Sequence, residues 1–134
     1  MKSESVSEIC SSILTGLGFG GETLMSLMRK WSFFVEECEE GYGWDYSEYK
    51  NEIGVRRLIQ RLLEDPRVSS AEELKDLFSE LVLLDEKFRS LLRSDVLVAE
   101  GDAWWEKGVL IRAGDEYCHY MKCAHGVSVE NVEG

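Results

Sequence analysis

The chain has 134 residues and a formal net charge of −11, from 15 basic and 26 acidic side chains. An electrostatic field of this sign repels phosphate groups, which argues against binding to nucleic acids or to an anionic membrane surface. Because 44% of its residues are hydrophobic, the chain has the composition of a globular domain rather than of a disordered segment.

The organisation of the chain is that of one domain, since its length is typical of one and its only proline is Pro66. We predict a single helical domain over residues 1–134, with residues 1–4 and 127–134 as candidate flexible ends. The first twelve residues lack the basic start and apolar run of a secretory signal, and no stretch resembles a membrane span. We therefore expect a cytoplasmic protein whose four cysteines are free thiols.

Hydrophobic periodicity predicts helices along the first two thirds of the chain. The first helix is predicted over residues 5–14, because Ser5 and Glu8 have the spacing of a capping box. A second is predicted over residues 22–39 and a third over residues 47–64, where Pro66 ends it. A fourth is predicted from Ser70, with Glu73 completing another capping box, to about Ser94.

The last forty residues give a less regular pattern. Residues 96–99 are β-like, residues 109–111 fit a strand or a buried turn, and residues 117–123 fit a helix or an edge strand. The predicted fold is mostly α, a four- to five-helix bundle with a small irregular or β-hairpin C-terminal segment.

A polar residue interrupts the apolar stripe of the fourth predicted helix. Asp85 lies between Leu81 and Phe88 on this stripe, where a carboxylate is costly unless it is paired and hydrogen-bonded. Arg89 could pair with it from one turn further along, or Arg56 could do so from the third helix. The interpretation we favour is an ion pair that fixes the register of two helices; the alternative is a paired site that faces a cleft.

Acidic residues alternate with aromatic ones where the second predicted helix ends and the third begins. Aromatic rings supply contact area at low entropic cost, and acids complement a cationic surface. Trp104 and Trp105 form a second candidate contact, because two adjacent rings seldom both face a core. We therefore predict the following residues to bind a partner: Glu36, Glu39, Glu40, Tyr42, Trp44, Asp45, Tyr46, Glu48, Trp104 and Trp105.

Soft ligands cluster near the C-terminus, where Cys118, His119, Cys123 and His125 fall within eight residues. Sulfur and imidazole suit Zn²⁺, but the spacing does not match the known short ligand pairs. No cofactor is predicted, and a metal or redox site at this cluster is kept as an alternative.

Three segments resemble a group of small acidic bacterial helical proteins, some of which are similar to immunity proteins of polymorphic toxin systems. The resemblance covers about half the chain. It implies a shared polar cluster of Tyr49, Asn51, Arg56, Asp85 and Arg89. The matching residues are Trp31 through Arg56, which includes Glu48-Tyr49-Lys50-Asn51-Glu52-Ile53, then Leu84-Asp85-Glu86-Lys87-Phe88-Arg89, and Trp104-Trp105.

Charge, the scarcity of acid–base side chains and the acidic-aromatic segment together favour binding over catalysis. The leading hypothesis is an immunity- or inhibitor-type protein that neutralises a cationic toxin or effector domain, and the expected partner is a protein with a basic surface. One alternative is a small metal-dependent or redox regulator that uses the cluster at residues 118–125. Another is an adaptor or subunit of a larger complex.

Overall fold

The computed structural model describes residues 5–98 and 101–134. Its fold is mostly α, as predicted, and the short strands lie in the C-terminal part. The α-helices are α1 Val6–Gly16, α2 Leu24–Glu40, α3 Tyr46–Leu63, α4 Pro66–Ser69, α5 Lys75–Ser90, α6 Trp104–Lys107 and α7 Asp115–His125. The strands are β1 Leu92–Leu97, β2 Gly108–Leu110, β3 Arg112–Ala113 and β4 Glu130–Asn131.

The first three helices begin at side chains that satisfy free backbone N–H groups. Ser5 caps α1 by accepting a hydrogen bond from the Glu8 amide at 3.1 Å. Thr23 caps α2, and its backbone N–H in turn donates to the Ser26 hydroxyl at 2.8 Å. Asp45 caps α3 through the Glu48 amide at 2.9 Å. All three helices therefore begin within two residues of their predicted starts.

The predicted start of the fourth helix at Ser70 is wrong. Asp65 and Pro66 begin the one-turn helix α4 instead, with Asp65 accepting from the Arg67 amide at 2.9 Å. The Ser70 hydroxyl then donates back to the Pro66 carbonyl, so it does not cap a new helix. A 3₁₀ turn, Glu72–Leu74, follows, and α5 begins only at Lys75 and ends at Ser90, before the predicted end.

Two small sheets complete the C-terminal part. The strands β1 and β2 pair antiparallel, and the connection between them contains α6. The strands β3 and β4 pair in parallel, and Ala113 of β3 also forms a bridge with Tyr42. Of residues 109–111, Val109 and Leu110 thus belong to β2 while Ile111 lies between β2 and β3, and residues 117–123 belong to helix α7. The β-like pattern at residues 96–99 overlaps the end of β1, and Ala99 lies outside the described residues.

The core is organised around Phe34, which is buried at the middle of α2. Its ring lies 5.4–5.8 Å, between centroids, from the rings of Trp31, Tyr42, Tyr49 and Phe88. These distances are typical of favourable aromatic pairs, each worth about 0.5–1.5 kcal/mol beyond the area that it buries. The cluster joins α2, α3 and α5 to the loop before α3, and so fixes the position of that loop.

Within the described residues, no helix combines the length and the apolar character that crossing a membrane requires.

Gly54 lies inside α3, and a Cβ atom built on it would meet no heavy atom within 4 Å. The close helix crossing that would explain a glycine there is therefore absent. We expect Gly54→Ala to stabilise the protein by about 0.5–1 kcal/mol, because alanine has the higher helix propensity. Urea unfolding of the variant and the wild type measures the change.

Gly41 is the control for Gly54→Ala, because its surroundings leave no room for a Cβ atom. Its φ is +99°, and a Cβ atom there would lie 2.6 Å from the Val132 side chain, so Gly41→Ala should destabilise the protein. A loss of stability in Gly54→Ala as large as that in Gly41→Ala would contradict the open surroundings of Gly54.

Candidate functional site

A buried polar link joins three helices. Arg56 of α3 donates from Nε to Oδ1 of Asp85 on α5 at 3.0 Å, and from Nη2 to Oδ2 at 2.8 Å. Trp31 of α2 donates from Nε1 to the same Oδ1 at 3.1 Å. The Arg56 and Asp85 side chains are 6% and 17% exposed, so both charges depend on these partners. The link is a structural element of the bundle, because its charged groups are directed at each other.

The remaining members of the predicted polar cluster lie apart from this link. Arg89 stacks over Trp104, with its guanidinium carbon 4.0 Å from the ring centroid. Tyr49 is buried among the core rings. Asn51 is exposed and lines a groove between α2 and α3. The predicted cluster of five residues is therefore one ion pair and three separate side chains.

The cysteine and histidine side chains near the C-terminus are directed to different neighbours. Cys118 is turned toward β3, where its thiol lies 3.4 Å from the Ala113 carbonyl oxygen. Cys123 and His119 are neighbours on α7, with Sγ 3.6 Å from Nε2, and His125 packs against the Tyr120 ring. Within residues 5–98 and 101–134, no three His, Cys, Asp or Glu side chains are arranged to hold a metal ion.

Several residues predicted to bind a partner are buried instead. Tyr42 and Tyr46 pack into the aromatic core. Trp105 is also buried, and its ring centroid lies 4.7 Å from the guanidinium carbon of Arg56. Trp104 is half-buried between Phe88, Trp105 and Arg89. These four rings contribute to the fold, and a contact role for Tyr42, Tyr46 and Trp105 is wrong. The other predicted residues are exposed: Glu36, Glu39, Glu40, Trp44, Asp45 and Glu48.

Two large aromatic side chains, Trp44 and Phe33, lie at the surface in this part of the chain. Trp44 is 59% exposed, and its indole N–H donates to Oε2 of Glu37 at 3.1 Å. Phe33 is 64% exposed and lies on the outer side of α2, between a groove shared with α3 and a groove shared with α5. We call the surface formed by Phe33, Glu36, Glu37, Glu40 and Trp44 the acidic face.

Phe33 was not among the predicted contact residues, although the sequence contains a signal for it. Phe33 and Phe34 are adjacent on one helix, so their side chains point about 100° apart. Phe34 occupies the core and leaves Phe33 on the surface.

Few positive charges offset the acidic face. Glu39 pairs with Lys87 at 3.2 Å, but Glu36, Glu37 and Glu40 have no basic partner among the described residues. Burial, followed by the nearby charge of Glu52, raises the pKa of Glu37, and the hydrogen bond from Trp44 opposes this rise. The acidic face thus carries charge repulsion that the protein itself does not relieve.

A second, larger groove lies between the start of α3, helix α7 and the C-terminal segment, with a volume of about 1120 Å³. Acidic side chains line it together with basic ones, such as Lys50 and Lys122. Two of these acids, Asp115 and Glu116, lie at the start of α7, where they are favourable for the helix dipole. This groove therefore has no dominant charge.

Replacing Arg56 tests the buried link. We expect Arg56→Leu to lower the free energy of unfolding by about 3–5 kcal/mol, because it leaves the Asp85 carboxylate buried without its cation. In Arg89→Leu we expect a loss of less than about 1 kcal/mol, since only a half-exposed cation–π contact is removed. Urea unfolding measures both variants. Equal losses of unfolding free energy in the two would contradict the assignment of Arg56 as the main partner of Asp85.

Glu37→Gln tests the repulsion on the acidic face. A raised pKa in the folded state means that folding disfavours the charged form. The resulting penalty is absent well below the ordinary value of 4.5 and grows as the pH rises through and above it. Glutamine can still accept the Trp44 hydrogen bond. We expect the variant to be more stable than the wild type at pH 7 by a few tenths of a kcal/mol.

Thermal unfolding of both proteins between pH 3 and pH 8 measures this difference, which should vanish at the acidic end of the range. A variant that is less stable than the wild type at pH 7 would show that a favourable charge interaction holds Glu37.

Comparison with known proteins gives no relative: no family model, no curated protein and no solved structure matches the chain. What the chain does is therefore inferred from the residues of the acidic face and its surroundings.

Proposed function

We propose that this chain is a binding module that covers a basic surface of another protein with its acidic face, in the manner of an immunity or inhibitor protein. The observation that carries the proposal is the exposure of Trp44 among carboxylates that lack a basic partner. A tryptophan that is 59% exposed is costly in water and is favourable in a contact that desolvates it.

The distribution of ion pairs supports a cationic partner. Seven basic side chains elsewhere on the described part of the chain have acidic partners at 4.0 Å or less, so they neutralise charge away from the acidic face. These pairs are Lys30–Glu22, Arg56–Asp85, Arg57–Glu106, Arg61–Glu64, Arg67–Asp65, Lys75–Glu72 and Arg93–Asp95. The uncompensated charge at Glu36, Glu37 and Glu40 would attract a basic surface and speed the encounter with it.

The rigidity of the face supports the same proposal. Trp44 is held at its indole N–H by Glu37, and the neighbouring Tyr42 is buried in the core and bridged to Ala113. Glu36, Glu37 and Glu40 lie on the last turns of a 17-residue helix. A contact surface fixed in this way loses little conformational entropy when it binds.

The test is to identify the partner by affinity capture from the native host and to measure binding with the purified pair. We expect Trp44→Ala to weaken binding at least tenfold, as truncation of an aromatic anchor does. Glu36→Gln/Glu40→Gln should mainly slow association and reduce its dependence on salt between 50 and 300 mM NaCl, because it removes steering charges.

Two controls make the result specific. Leu97→Ala removes an exposed apolar side chain from β1, and Glu73→Gln/Glu86→Gln removes two exposed charges from the 3₁₀ turn and α5. Both controls should bind as the wild type does. A partner with an acidic contact surface, or unchanged affinity in Trp44→Ala, would overturn the proposal.

A further inference from the structure

The groove between α2 and α3 opens beside the acidic face and has a volume of about 580 Å³, within the range of ligand-binding clefts. Its apolar walls are formed by Phe33, Phe34 and Val55. Two carboxylates, Glu37 from α2 and Glu52 from α3, line it together with Arg29, Lys30 and Asn51. On α2 the two bases precede Phe33 and Glu37 follows it, so aromatic surface meets negative charge at the part of the groove that Glu37 and Glu52 line.

Aromatic donors orient both carboxylates. The Trp44 indole donates to Oε2 of Glu37 at 3.1 Å, and the Tyr42 hydroxyl donates to Oε2 of Glu52. Burial and the hydrogen bond to Glu52 raise the pKa of Tyr42, so this hydroxyl keeps its proton and remains a donor. Among the described residues, no donor contacts the Oε1 atom of either carboxylate, and both atoms are left to accept further hydrogen bonds.

The basic residues of the groove itself do not neutralise these carboxylates. Lys30 is bound to Glu22 at 2.6 Å, toward the start of α2. Arg29 lies two helical turns before Glu37, a distance of about 12 Å along the helix axis. The charges that act on the pKa of Glu37 are those of Glu52 and Glu40, both acidic. A cation brought in from outside would relieve this repulsion.

We propose that the groove between α2 and α3 receives an arginine side chain of the basic partner, with its guanidinium between Glu37 and Glu52 and its plane against Phe33 or Trp44. This inference rests on the proposed function and adds the chemistry of one contact to it. The occupant is an arginine because charge complementarity requires a cation and the groove has aromatic walls.

Arginine fits these surroundings better than lysine does. Its planar guanidinium stacks on aromatic rings and donates several hydrogen bonds in one plane, so it can serve two carboxylates at once. It is also more weakly hydrated than an ammonium group, which lowers the cost of entering a groove with apolar walls. A lysine ammonium group would lose more hydration than a guanidinium group on entering the groove, and it would make fewer contacts there.

The test uses N-acetyl-L-arginine amide as the probe in an NMR titration of the ¹⁵N-labelled full chain at 150 mM NaCl. We expect saturable shifts of the Trp44 indole resonance and of the Phe33 and Glu52 amides, with a dissociation constant on the order of 1 mM. The citrulline analogue, which has the same shape without the charge, should cause no saturable shift. The lysine analogue should bind at least threefold more weakly.

The variant Glu37→Gln/Glu52→Gln removes both charges and keeps acceptors for Trp44 and Tyr42. It should weaken binding of the arginine probe at least tenfold. The matched variant Glu73→Gln/Glu86→Gln has the same net charge and should bind as the wild type does. Equal weakening in both variants, equal binding of arginine and lysine, or shifts that do not saturate would each overturn the arginine site.

The two proposals fail separately. If the purified partner binds through Trp44 but tolerates Glu37→Gln/Glu52→Gln, the arginine site is wrong and the binding module stands. If the arginine probe saturates the groove and the partner ignores Trp44, the groove binds guanidinium groups but the proposed function is wrong.

Discussion

The hydrogen-bonded carboxylate of Asp85 is the constraint on which the arrangement of the long helices depends. It accepts from Trp31 on α2 and from Arg56 on α3 while it belongs to α5. A buried carboxylate is tolerated only where such donors reach it, which favours the register in which the three helices pack. The groove between α2 and α3 inherits its shape from that register. Glu37 and Glu52, which line this groove, are thus placed by helices that the Asp85 carboxylate holds together.

Adjacent residues of helix α2 have opposite locations, one in the core and one on the surface. Phe34 contacts four aromatic rings of the core, while Phe33 lies on the outside between two grooves. The loop after α2 repeats this division, since Tyr42 is fully buried and Trp44 is largely exposed. The position of each exposed ring is therefore fixed by a buried ring one or two residues away. This explains how a loop next to a helix end can present a well-defined surface.

Local sequence was sufficient to predict the first three helices from their apolar periodicity, and the structure shows that Ser5, Thr23 and Asp45 cap them through contacts within three residues. It failed at Ser70, where the preceding Asp65-Pro66 turn competes for the same hydroxyl. The choice between Arg56 and Arg89 as the partner of Asp85 stayed open, since only tertiary packing decides it. Tyr42 and Tyr46 were predicted at the surface because composition does not reveal which rings of an aromatic segment the core takes. The acids of this segment are exposed, and their role in binding stays a prediction.

The attachment of Tyr42 to the C-terminal strands has a consequence for how the protein is made. The Gly114 amide donates to the Tyr42 carbonyl at 2.7 Å, and the Val132 amide donates to the Ala113 carbonyl at 2.9 Å. Partners so far apart in sequence meet only after a large loop has closed. During translation, the segment that carries Trp44 leaves the ribosome long before β3 and β4 are synthesised. A nascent chain would therefore expose its acids early but acquire an ordered surface around them only when β3 and β4 have emerged.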